Sequence, residues 1–241
     1  MAQRLQPVRT IRHFMPERLL ISVQIIIAFL MLGALFPGIA AAQQGVQKTF
    51  TYDTPEGKLV IPLPAGSWRK VLVHETHEVI SMGTYSDDWT KGNVFLIRAK
   101  AGQVDAVVTV NANLSEIDGR RIAPPDFCYE KQRSWKYHKQ YKVLPSDTYC
   151  WGVNSARLPI TAESEEEAWR LFMEKNEASK WGIANDAPAT QVRFLRWVNG
   201  RFVRIDYYFL APKGAKPIDW KAARDWAKGL VGKVKSGFEG G

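Results

Sequence analysis

The sequence predicts an α+β fold: a mostly antiparallel, twisted β-sheet that is packed by two main helices and carries one disulfide. Three observations lead to this prediction. The runs NVFLIRAKAGQVDAVVTVNANL and TQVRFLRWVNGRFVRIDYYFLAP alternate apolar and polar residues on either side of short turns. The runs ESEEEAWRLFMEKNEASKW and Asp219–Phe238 repeat apolar residues at helical spacing. The only two cysteines are Cys128 and Cys150.

Residues 1–42 have the order of a secretory signal peptide. Four arginines and an apolar run, Leu19–Phe36, are followed by Pro37-Gly38 and three alanines at 40–42. This order predicts export, with cleavage after Ala42. Because the apolar run is just long enough to span a bilayer, a retained N-terminal membrane anchor is the alternative. Residues 43–241 are then expected to form a single α+β domain.

The charge balance is basic. The formal net charge is +9, of which the predicted signal peptide contributes +3 and leaves about +6. Such a charge favours contact with anionic surfaces or polymers. It is not a nucleic-acid signature, so no nucleic-acid partner is expected.

The first half of the domain is predicted to be β-rich. TFTYD and KLVIPL read as strands joined by the turn TPEG, and Arg69–Ile80 reads as another strand. The polar run Ser81–Gly92 is predicted to be a loop. The next two runs predict an antiparallel hairpin through AGQ, whose second strand has one face on a core and one in water.

The segment between the cysteines is also predicted to contain a strand. From Arg133 to Val143 the aromatic side chains occupy odd positions, whereas Lys136, His138 and Lys142 occupy even ones. The turn PSD would fold this strand back onto TYCWGV, and VNSARLPI adds a further short strand. We expect the aromatic face to lie inward and the even-numbered face outward.

The dipeptide Asn199-Gly200 predicts a two-residue hairpin turn and therefore fixes a register. The predicted opposite pairs are Val198 with Arg201, Trp197 with Phe202, Phe194 with Ile205, and Arg193 with Asp206. The face with Val192, Val203, Tyr207 and Phe209 is assigned to the core. The other face carries Trp197, Phe202 and Arg204 and is expected to be an outer face, apolar near the turn.

Two helices complete the predicted fold. The first begins with a capping box formed by Ser164 and Glu167 and ends before Gly182. The second begins at Asp219 as N-cap, with Ile218 and Ala223 as a hydrophobic staple, and runs to Phe238. This basic amphipathic helix is expected to cover the sheet; lying on a membrane surface is the alternative.

The cysteines and histidines carry the remaining candidate chemistry. In an oxidising compartment Cys128 and Cys150 are expected to form one disulfide. His74 and His77, beside Glu75 and Glu78, are the candidate metal ligands. In a strand, positions three apart point to opposite faces, so these imidazoles would converge only at a turn or bulge.

The chain lacks the familiar catalytic signatures. It contains no GxSxG, P-loop, HExxH or CxxC motif. We therefore expect no catalytic residue and no cofactor.

The order of motifs resembles a known group of proteins. LPAGSW, the NVFLIRAK hairpin, the Cys128–Cys150 pair, a helix reaching WGI, the Asn-Gly hairpin and a final helix ending SGFEGG follow one another. This order is similar to a family of uncharacterised secreted proteobacterial proteins and covers nearly all of the mature chain. More loosely, the element order resembles the Mog1/PsbP-like fold. The resemblance implies an exported α+β domain and supplies no catalytic residue.

The sequence thus predicts an exported, non-catalytic protein of the periplasm or cell envelope. Its expected partner is another protein or an anionic envelope polymer, bound at Lys136, His138 and Lys142 or at Trp197, Phe202 and Arg204. One alternative is an exported hydrolase or metal-dependent enzyme with a distributed site around His74 and His77. The other is a peripheral membrane protein that uses its C-terminal helix.

Overall fold

The computed structural model describes residues 48–54, 57–82, 85–100, 102–114, 126–128, 135–144, 147–159, 166–198, 201–211 and 215–239. The strands are β1 (Thr49–Thr54), β2 (Gly57–Pro62), β3 (Trp68–Met82), β4 (Tyr85–Lys100), β5 (Gln103–Asn113), β6 (Tyr137–Leu144), β7 (Asp147–Leu158), β8 (Ala187–Val198) and β9 (Arg201–Leu210). The helices are α1 (Glu166–Ser179), α2 (Trp220–Lys228), α3 (Val231–Glu239) and a short 3₁₀ helix, Asp126–Cys128. The predicted signal peptide and Ser164 lie outside the described residues.

The strands build one large antiparallel sheet. Its seven strands have the order β3-β4-β5-β9-β8-β7-β6, whereas β1 and β2 form a separate hairpin. Each neighbouring pair in the large sheet is antiparallel. The fold is therefore α+β with a mostly antiparallel sheet, as predicted, although its helices contribute little of the chain.

One face of the sheet, here the α2/α3 face, packs against α2, α3 and the β1–β2 hairpin. Period-two alternation sends one parity of each strand into this core. The hairpin residues that were assigned to the core are all buried or half-buried in it: Val192, Phe194, Val198, Val203, Ile205, Tyr207 and Phe209. That part of the sequence prediction is confirmed.

The opposite face, here the α1/disulfide face, is covered as well. At one end of this face α1 packs on the sheet, where the Phe95 ring lies 5.0 Å from Trp169 and 4.8 Å from Phe172. At the other end the disulfide-linked 3₁₀ helix contributes Phe127 to a second apolar cluster. The central strands β5, β8 and β9 are therefore buried on both sides, and the prediction of a water-facing side for them is wrong.

The hairpin predictions give the closest agreement. Strands β8 and β9 pair in the predicted register, from Val198 opposite Arg201 to Arg193 opposite Asp206. The β1–β2, β4–β5 and β6–β7 hairpins are also present. The predicted loop at Ser81–Gly92 is wrong, because most of it belongs to β4 and pairs with β3. Cross-strand pairing with a strong strand has overridden the weak β-propensity of this polar run.

The C-terminal segment forms two helices where one was predicted. Asp219 caps α2 as predicted, and its Oδ1 accepts a 2.8 Å hydrogen bond from the Lys221 backbone N–H. The helix ends at Gly229, and α3 begins at Val231. The apolar stripe of both helices, including Ala223, is buried in the α2/α3 core, which confirms the packing role. Ile218 is 42% exposed, whereas Ala223 is fully buried.

Candidate functional site

The disulfide between Cys128 and Cys150 is present, as predicted. It ties the 3₁₀ helix to β7 with the two Cα atoms 5.6 Å apart, and both residues are fully buried. The cluster around it comprises Phe127, Leu195, Trp197, Phe202 and the half-buried Trp135. The disulfide thus holds the 3₁₀ helix against one end of the sheet. We refer to Asp126–Cys128 together with Trp135 as the disulfide cover.

Trp197 and Phe202 lie beneath this cover. They oppose each other across β8 and β9 as predicted, but they are only 1% and 6% exposed. The prediction of an exposed apolar patch is therefore wrong. The physical reason is that both rings belong to one buried cluster with Phe127 and Cys128 of the disulfide-linked 3₁₀ helix.

The even-numbered face of β6 is not one solvent-facing strip either. Lys136 is exposed as predicted. The ring of His138, in contrast, is half-buried with its centroid 5.0 Å from that of Phe127. Burial lowers the pKa of His138, and a hydrogen bond with the Phe127 backbone opposes this only in part. The side chain of Lys142 lies outside the described residues.

Arg204 belongs to an internal ion cluster. Asp206 is fully buried, and its carboxylate contacts Nε of Arg204 at 3.1 Å and Nε of Arg193 at 2.7 Å. Burial alone would lower the pKa of Arg193, but the attraction of Asp206 outweighs it and raises that pKa. The Arg193 guanidinium also lies over the Phe127 ring at 5.4 Å and the Trp135 ring at 5.6 Å. The cluster therefore braces the disulfide cover from below.

The two candidate metal ligands point apart. His74 pairs with Asn93 and lies on the α1/disulfide face, where its Nε2 is 3.8 Å from Oε2 of Glu167. His77 is three positions further along a regular stretch of β3, and its Nδ1 is 2.9 Å from the Thr90 hydroxyl. The bulge in β3 lies at Lys70, before either histidine. Among the described residues, no three His, Cys, Asp or Glu side chains group closely enough to hold a metal ion.

The structure also contains an open cleft that the sequence did not reveal. It lies on the α2/α3 face, at the end of β7 and the start of β8, and has a volume of about 890 Å³. Its walls include Ser155, Arg157, Thr190, Lys216, Ile218 and Trp220. The Thr190 hydroxyl donates a 2.6 Å hydrogen bond to the Ile218 carbonyl, which fixes the segment leading into α2 against β8. We refer to this feature as the basic cleft.

Exposed cations and the half-buried Trp220 ring lie in or beside the basic cleft. Lys216 and Lys221 are exposed, and neither has a carboxylate within salt-bridge distance in the described part of the chain. The Trp220 ring lies 5.6 Å from the Arg224 guanidinium and 5.9 Å from the Lys221 ammonium. Arg224 also lies over Tyr137, at 5.9 Å, which connects α2 to the start of β6.

The acids near the basic cleft are already engaged. Asp186 pairs with Arg157 at 2.6 Å, and Asp219 caps α2. A hydrogen bond from Arg224 lowers the pKa of Asp225, which also pairs with Lys228. The described residues named around the cleft thus comprise five cations, with Arg157, Arg224 and Lys228 paired, and three acids, so positive charge is in excess. This arrangement can hold an anionic group by charge while a neighbouring part of the ligand packs on Trp220.

The sequence contains only a weak sign of this site. Lys216-Pro217-Ile218 places an apolar residue between a cation and a helix N-cap, and that residue proves to be 42% exposed. The cleft itself needs β7, β8 and residues 216–220 together, and these are far apart in the chain. No short sequence motif predicts a cleft that is built from distant segments.

No protein-family model, no curated protein and no solved structure matches this chain. No helix within the described ranges is long and apolar enough to cross a membrane.

Proposed function

We propose that this chain is an exported, non-catalytic binding protein of the cell envelope that holds an acidic partner, either a protein or an anionic polymer, at the basic cleft. The observation that carries the proposal is the excess of exposed cations around an open cleft with an aromatic wall. Charge would draw the partner to this surface, and Trp220 would provide a contact area for its less polar parts.

The disulfide supports the exported compartment. Disulfides persist in oxidising environments such as the periplasm and the cell exterior and are rare in the cytosol. Cys128 and Cys150 are both fully buried and joined, so the fold uses their oxidised form. This agrees with the export predicted from residues 1–42.

The two alternatives have less support. A metal-dependent enzyme would need His74 and His77 to converge, and they lie on opposite faces of β3. A peripheral membrane protein would need a free apolar face on the C-terminal segment. In α2 and α3 that face is buried against the sheet, as Ala227 and Val234 show.

Charge reversal at the basic cleft tests the proposal. The double variant Lys216→Glu/Lys221→Glu should bind poly-L-glutamate or polygalacturonate about tenfold or more weakly than wild type, because each reversal replaces an attraction by a repulsion. Each polymer is immobilised on beads, and beads that carry dextran are the uncharged reference. The fraction of protein retained on the beads is measured at low and at physiological salt, and this fraction should fall as salt rises.

A matched control removes the effect of net charge. Arg170 on α1 is 56% exposed and far in the fold from the cleft, on the opposite face of the sheet. Two reversals on α1, Arg170→Glu and Lys175→Glu, change the total charge equally and should leave binding within twofold. The predicted surface on β6 is tested separately with Lys136→Glu/Lys142→Glu. Equal binding by wild type and the cleft variant would reject the basic cleft as the site.

A further inference from the structure

The outer edge of β7 is only partly paired. Strand β6 pairs with β7 from Leu144 opposite Asp147 to Tyr137 opposite Val153. Strand β7 continues to Leu158, and over Asn154–Leu158 its pairing is with β8 on the inner side. In the described part of the chain no strand pairs with the outer edge of these five residues. Relative to the described residues, their outward backbone N–H and C=O groups form a short open edge.

The position of Trp135, two residues before β6, agrees with this open edge. Trp135 packs over Gly152 on the α1/disulfide face, where a Cβ on Gly152 would come within 2.7 Å of the Trp135 ring. The Trp135 ring is also 4.7 Å from that of Phe127. Trp135 therefore lies against the disulfide-linked 3₁₀ helix and does not continue the β6 ladder along Ser155.

This open edge borders the basic cleft. Ser155 and Arg157 share the parity of Trp151 and Val153, so they lie on the α2/α3 face, and both line the cleft. A strand added to the edge would place every second side chain on the same face, next to Arg157 and Lys216. The Arg157–Asp186 pair is 66% and 69% exposed, and an exposed pair of this kind is readily exchanged for another carboxylate.

We propose that the basic cleft binds an extended acidic peptide segment of a partner protein, which adds to the open edge of β7 as an extra strand. This inference rests on the proposed function and names its partner class. Main-chain hydrogen bonds to the edge hold the segment, and acidic side chains at alternate positions enter the cleft. The cleft volume of about 890 Å³ suits several such side chains.

Charge makes a foreign segment a better occupant than a second copy of this chain. Pairing two β7 edges would bring Arg157 and Lys216 of both copies into the same region, and like charges that face each other in a sheet are destabilising. A flat membrane surface would meet the cations but would leave the open edge without hydrogen-bond partners. An acidic extended segment satisfies both features at once.

Backbone methylation provides the decisive test. The probe is an eight-residue peptide of alternating Glu and Val with a fluorescent label, measured by anisotropy against the full chain. Two derivatives carry N-methyl groups on alternate residues, one on the Glu positions and one on the Val positions. An added strand uses the N–H groups of one edge only, so one derivative should bind at least tenfold more weakly and the other within twofold of the parent.

Variants of the chain test where the peptide binds. Arg157→Glu should weaken binding of the parent peptide about tenfold, whereas Arg170→Glu on α1 should leave it unchanged. Amide NMR shifts on binding should concentrate at Asn154–Leu158. If both methylated peptides bind like the parent, strand addition is refuted while the basic cleft survives as an anion-binding surface.

The remaining outcomes are also decisive. If polygalacturonate binds the cleft but the peptide does not, the partner class is wrong and the proposed function stands. If neither probe binds, both are wrong. A concentration-dependent dimer that protects Asn154–Leu158 from hydrogen exchange would show that a second copy occupies the edge and would also overturn the inference.

Discussion

Opening the Cys128–Cys150 disulfide should remove a large share of the stability of this fold. The two cysteines are separated by 22 positions in the chain. For a closed loop of this length, the lost constraint on the unfolded chain is worth about 3 kcal/mol at 25 °C. Since small domains are stable by only about 5–15 kcal/mol, the change is readily measured.

The experiment separates the constraint from the packing. Urea unfolding, followed by tryptophan fluorescence, is compared for the oxidised protein, the reduced protein and the variant Cys128→Ala/Cys150→Ala. Oxidised and reduced forms contain the same atoms apart from two hydrogens, so their difference reports the loop constraint. The reduced form and the alanine variant differ by two buried sulfur atoms, which should add on the order of 1 kcal/mol.

The denaturant slope provides an internal check. Reduction should increase the slope, because an unfolded chain without the cross-link exposes more surface to urea. A loss below about 1 kcal/mol with an unchanged slope would refute the reasoning. That result would mean that the 3₁₀ helix residues already lie near β7 in the unfolded ensemble. Alternatively, it would mean that the native contacts of the 3₁₀ helix become more favourable once the disulfide is opened.

Three further predictions concern single side chains. Trp197→Ala should lower the free energy of unfolding by about 3–5 kcal/mol because the ring is buried. The control Val79→Ala, at a 70% exposed position, should change it by no more than about 0.5 kcal/mol. Similar losses in the two variants would contradict the burial of Trp197. Burial, together with the charge of Glu75, raises the pKa of Tyr52 from 10.0 to about 12, so its contribution to stability is present below pH 10 and lost as the pH rises to about 12. Tyr52→Phe should therefore show a smaller loss of stability between pH 9 and pH 12 in urea titrations, and an equal loss in both proteins would exclude this shift. Because burial lowers the pKa of His138 from 6.5, the unfolded chain takes up a proton that the folded chain resists, and the protein should lose stability as the pH falls through 6.5. His138→Gln should show a shallower decline from pH 7.5 to pH 5 by thermal unfolding, and an unchanged slope would argue against a buried ring.

Local patterns in the sequence predicted the strands and their registers well. The Asn199-Gly200 pair specifies a two-residue turn, and a turn of fixed length allows one register, which β8 and β9 adopt. Asp219 likewise caps α2 through its own side chain and a backbone N–H two positions away. In each case the determining contacts lie within a few residues of each other in the chain.

The covers over the sheet could not be predicted in the same way. Alternation identifies two sets of side chains in β9, but it does not tell which set faces water. The set with Phe202 is buried because it shares an apolar cluster with Phe127 and Cys128, which are distant in sequence. The predicted outer patch and the solvent-facing role of His138 failed for this one reason. The basic cleft escaped prediction for a related reason, since its walls come from separate parts of the chain.

The contact between α3 and β2 has a consequence for the order of folding. A Cβ on Gly237 would collide with the carbonyl oxygen of Val60, so the helix rests directly on the strand backbone. The first described hairpin therefore completes its core only after the last described helix has been synthesised. Such long-range closure slows folding and leaves the nascent chain open for longer. A hairpin that cannot close its core before α3 is made would stay unfolded during the export proposed above.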